Sequence, residues 1–139
     1  MSSDDLRQRI EAIETGYEFM LAYAAQGLPA DAGTSSGSQL REFLRGAAEA
    51  LAGLAEAYGA EVPQPSGPYQ PFLAVLKRDA GDALAAIELV RAQPALSSQL
   101  IDNLNASIHL RALLTDLFLI DEVLKTQSTA GNAGEVAAG

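Results

Sequence analysis

One stretch of this chain gathers the side chains that chemistry would need: Asn105, His109, Arg111 and Asp116, with Asp102 just upstream. An imidazole beside carboxylates can move protons, and a carboxylate that orients the ring raises its basicity. Asn105 lies four residues before His109, while Asp102 and Asp116 lie seven before and seven after it, so on a helix all four share one face. Seven helical residues span about 10 Å of axis, too far for a direct hydrogen bond. Catalysis at His109 would therefore need groups from another helix, and a solvated or interfacial histidine is the plainer reading. The enzyme question stays open, with a non-catalytic role favoured.

Metal and cofactor chemistry find little support. A di-iron bundle uses Glu-x-x-His motifs from two helices, but Ala106 stands three before the only histidine. The chain has no cysteine, which excludes disulfides, thiolate metal sites and thiol nucleophiles. Only Met1 and Met20 are available as thioether ligands. The segment "GTSSGS" lacks the lysine and the preceding strand of a phosphate-binding loop. No cofactor and no metal are expected.

The elements that carry these residues read as helices. The chain has 139 residues, 48% of them hydrophobic, which suits one packed domain. Leu6, Ile10, Ile13, Tyr17, Met20 and Ala24 recur at 4-3 spacing, and Gly27 ends the run. Leu40, Leu44, Ala47, Leu51, Leu54 and Tyr58 repeat the rhythm behind Ser36 and Gln39, spaced as a capping box, and Gly59 closes the segment. Leu73, Leu76, Ala80, Ala83, Ile87 and Val90 form a third seam, in which Gly81 suggests a close helix crossing. A fourth helix, with Ser97 as its cap, runs to about Lys125. The loop "GLPADAGTSSGS" looks too rich in Gly and Ser to hold structure of its own.

The expected fold is all-α, a four-helix bundle running up-down-up-down over residues 1–126, with a flexible, disordered tail over 127–139. The fourth helix has one oddity. Leu100, Ile101, Leu104 and Ile108 fall on one side of a helical wheel, while Leu110, Leu113, Leu114, Leu117 and Ile120 fall on nearly the opposite side. Its apolar face swings by roughly half a turn near His109.

The first helix also carries more apolar surface than one stripe needs, with Phe19 and Tyr23 on a second line. Surplus apolar surface on two helices points to a homodimer, with Phe19, Tyr23, Leu114, Phe118 and Leu119 as its contact residues. The resulting expectation is a regulatory or accessory protein that acts through protein contacts with itself and an unknown partner. The alternative is a small-molecule-binding or catalytic bundle with Asn105, His109, Arg111 and Asp116 as its site. Tyr17, Tyr58 and Tyr69 line the core or its ends, and a pocket between helices there could hold an apolar or aromatic ligand with Arg111 or His109 at its polar end, although plain core packing is the commoner reading.

A formal net charge of −9 repels phosphate backbones and makes nucleic acid a poor partner. Mimicry of an acidic ligand in a basic groove is a third reading, resting on charge alone. No apolar run reaches the roughly 18 residues that cross a bilayer, so no membrane partner is expected. The opening "MSSDDLRQRI" is polar and acidic, unlike a signal peptide, and the cytoplasm is the expected location.

Overall fold

The computed structural model describes the backbone of residues 2–61 and 67–138 and the side chains of residues 4–61 and 67–126. It is all-helical, with no strand among the described residues. Six helices follow in order: α1 (Ser2–Ala24), α2 (Ser35–Ala52), α3 (Leu54–Glu61), α4 (Tyr69–Arg91), α5 (Ser98–Ala106) and α6 (Ile108–Ala138). The expected count of four fails because two of the segments are broken. The side chains of residues 127–139, expected as a tail, lie outside the described residues, although the helical backbone of α6 extends to Ala138.

The first break falls at Gly53, not at Gly59. Gly53 ends α2, its N–H donating to the Leu51 carbonyl. From α1, Arg9 donates to the terminal carbonyls of Glu49 and Ala50 at 3.0 and 3.2 Å. A β-carbon on Gly53 would sit 2.6 Å from the Arg9 guanidinium carbon, so the glycine makes room for this cap. Carbonyls that α2 leaves unpaired thus find a cationic donor.

The second break falls at Ser107. Its backbone is extended (φ −63°, ψ 144°), and its N–H still closes α5 by donating to Leu104. Its hydroxyl then accepts from the Leu110 N–H at 3.3 Å and opens α6. This break accounts for the turning apolar face. Ile101 and Leu104 bury from α5, whereas Leu110, Leu113, Leu114, Leu117 and Ile120 bury from a separately oriented α6.

The other caps follow from short polar side chains. Thr34, not Ser36, caps α2, accepting from the Gly37 N–H at 2.9 Å, and Ser97 caps α5. The core is one cluster of mostly aliphatic residues from all six helices, including Leu6, Ile13, Leu44, Leu54, Leu76, Ile87, Ile101 and Leu113, with Tyr23 and Tyr58 among them. Helix α2 packs against α1 and α4, α5 lies mainly on α1, and α6 lies on α4. Gly81 is exposed, and a β-carbon added there would meet nothing within 4 Å, so it marks no helix crossing.

Candidate functional site

The four residues singled out for chemistry part company. Asn105, at the end of α5, and Asp116, in the middle of α6, are buried with 6% exposure each. His109 and Arg111, in the first turn of α6, are exposed. None of the four lines the principal cavities among the described residues. They therefore form no common cleft, because the Ser107 break rotates α6 relative to α5 and leaves His109 facing outward.

The Asn105 amide has no hydrogen-bond partner on either its nitrogen or its oxygen, and one oxygen of Asp116 is equally unpartnered. Asp116 lies against Asp79 of α4; burial first, then that neighbouring carboxyl, push its pKa up to about 7. Asp116 is buried and Asp79 half-buried, and two carboxyls in contact there resist ionising together, so a proton held by Asp116 supplies the donor between them. A second acid pair joins α6 to α1. Glu14 is raised above its ordinary value by burial and then by the Asp121 carboxyl, with Glu18 and Glu11 adding to it. Among the described residues no cluster of three or more His, Cys, Asp or Glu could hold a metal ion.

A polar staple ties the loop after α1 to the loop before α5. The Asp31 carboxylate accepts from Arg41 Nε at 2.6 Å and from the Leu96 N–H at 2.7 Å. Arg41 also donates to the carbonyls of Arg91 and Gln93 at the end of α4. Arg41 holds the Asp31 carboxyl below its ordinary range, aided by the Leu96 N–H and opposed by burial. Tyr23 donates its hydroxyl to the Leu96 carbonyl at 2.6 Å, and Ser98 donates to the Tyr23 carbonyl at 2.7 Å. The loop read as structureless is thus anchored by Asp31, which is 7% exposed.

The residues expected at a dimer contact also divide. Tyr23 and Leu114 are buried in their own chain, Tyr23 by the staple and Leu114 in the core. Phe19 is partly buried and stacks on Phe43 with ring centroids 4.6 Å apart. Phe118 and Leu119 are exposed, at 57% and 53%, and Ile108 and Val123 join them.

One cavity of about 340 Å³ opens between α1, α3, α4 and α6. Leu6, Phe72, Ile120 and Leu124 wall it, Leu119 and Val123 stand in its lining from α6, and Tyr58, Tyr69 and Glu61 are the lining residues with polar side chains. Burial and then the nearby Tyr69 raise the pKa of Tyr58. Its ring meets Phe72 edge-on, with centroids 5.8 Å apart. Of the three tyrosines read as ligand-lining candidates, Tyr58 and Tyr69 stand here and Tyr17 does not, and neither Arg111 nor His109 reaches the lining; Glu61 was not legible, since a glutamate at a helix end has no distinctive spacing.

Comparison with known proteins returned nothing: no family model, no curated protein and no solved structure matches this chain. Among the described residues no helix is long and apolar enough to cross a membrane.

Proposed function

We propose that this protein is a self-associating accessory or regulatory component that works through protein contacts, pairing with a second copy through the outer face of α6. One observation carries the reading. Ile108, Phe118, Leu119 and Val123, four of the large exposed apolar side chains, share that face with Arg111, Thr115 and Glu122. At 100° per residue these seven fall within an arc of about 140°. Scattered exposed leucines are ordinary on a monomer, but several aligned on one helix mark a contact surface.

The placement of charges along α6 supports a second copy as the occupant, against the repulsion of the −9 that each copy carries. If two α6 helices cross antiparallel about a two-fold axis between Asp116 and Leu117, Arg111 of each copy meets Glu122 of the other. Thr115 then meets Phe118. An isologous interface needs such self-complementarity. A cytoplasmic location fits a chain without cysteine, and a further protein partner belongs to the same proposal.

Sedimentation at rising protein concentration tests it. Wild type should approach twice the chain mass, and Phe118→Glu should hold it at one. Arg111→Glu alone should weaken pairing, and adding Glu122→Arg should restore it. A single-chain mass at about 100 μM, or no rescue by the double swap, would sink the proposal.

A further inference from the structure

We propose that the cavity between α1, α3, α4 and α6 is a binding site for a small amphipathic organic cation, an amine or quaternary ammonium on an apolar body. The proposal goes beyond self-association; Leu119 and Val123 belong both to this lining and to the pairing face, so binding is tested on the single-copy form. A volume of about 340 Å³ lies within the range of small-molecule sites, roughly 300–1,000 Å³. The walls are almost wholly apolar, so the body of the ligand must be too.

The polar atoms select the head group. Glu61 is the one charged residue in the lining. Tyr58, Tyr69 and Phe72 add three aromatic rings, whose faces attract a cation and whose phenolic oxygens accept hydrogen bonds. An anionic head would meet Glu61 and find no positive side chain in the lining. The net charge of −9 acts in the same direction, raising the local concentration of cations.

Titration calorimetry on the full chain tests the inference with three probes of equal tail length, used below their aggregation concentrations. Octyltrimethylammonium should bind saturably, and 1-octanol and octanoate at least about tenfold more weakly. Glu61→Gln should bring the cation to within a few fold of octanol. Val123→Trp, which fills the cavity from α6, should abolish binding of the cation, with helical circular dichroism confirming that both variants fold. Equal binding of cation and octanol to wild type, a preference unchanged in Glu61→Gln, or no saturable binding of the cation would each overturn it. Working at a protein concentration where sedimentation shows one copy keeps this outcome separate from the fate of the dimer.

Discussion

The carboxyl of Asp116 on α6 rests against that of Asp79 on α4, buried in the packing between the two helices. Its raised pKa, up to about 7, makes the native state bind a proton that the unfolded chain releases near its ordinary value of 3.8. Stability from this group is therefore complete below about pH 3.8 and is lost as pH rises through about 7. Glu14 beside Asp121 acts with the same sign. Asp31 acts with the opposite sign, because its lowered pKa gives stability that disappears as pH falls through the folded value. Thermal melts across pH should show greatest stability in mild acid, with a decline between about pH 4 and 7. Asp116→Asn should flatten that decline; an unchanged slope in the variant would remove the pair as its cause.

Asn105 buries an amide with neither donor nor acceptor satisfied. Replacing such a group by an apolar one of similar shape removes a desolvation cost of roughly 1–3 kcal/mol. Asn105→Leu should be neutral or stabilising in chemical denaturation. A loss of more than about 1 kcal/mol would mean that the amide makes an interaction in solution that offsets its burial.

Two glycines of α2 should respond in opposite ways to alanine. A β-carbon on Gly37 would lie 2.1 Å from the backbone oxygen of Asp31, and a backbone cannot step aside as a side-chain tip can. Gly37→Ala should cost several kcal/mol, roughly 2–4, through the anchored loop. Gly46 has open space around it, so Gly46→Ala should stabilise by about 0.5–1 kcal/mol. Urea melts of both variants check the contrast, and equal effects would refute it.

Tyr23→Phe removes the hydroxyl that bonds the Leu96 carbonyl while keeping the ring in the core. The cost should be about 1–2 kcal/mol, including the carbonyl left unpaired. Hydrogen exchange should accelerate at the Leu96 and Ser98 amides, which belong to the same staple. A variant as stable and as protected as wild type would show the staple to be redundant.

Helix type and seam residues were legible because burial repeats with the helical period: Leu6, Ile10, Ile13 and Met20 all lie in the core as the 4-3 spacing implies. The breaks were harder to read. Arg9 approaches Gly53 from α1 whereas Gly59 faces Leu73, and no local pattern records a partner forty residues away. The wheel did register the change of phase near His109, although not that a single serine produces it. Asp31 was invisible for a similar reason: in a Gly- and Ser-rich loop an aspartate resembles a solvated turn residue until Arg41 and Leu96 are brought to it. At the candidate site, residue types could be listed but not convergence, so two buried and two exposed side chains were grouped by sequence proximity alone.

Ser107 stands alone between α5 and α6, finishing one helix and starting the next. Most connections between helices absorb an added or missing codon, since a few loose residues take up the slack. Here there is no slack. Losing this one position would fuse the two rods and spin the second by about 100° per residue of altered register, turning leucines outward and polar flanks in. Evolution can exchange the residue at this joint far more readily than it can change the joint's length.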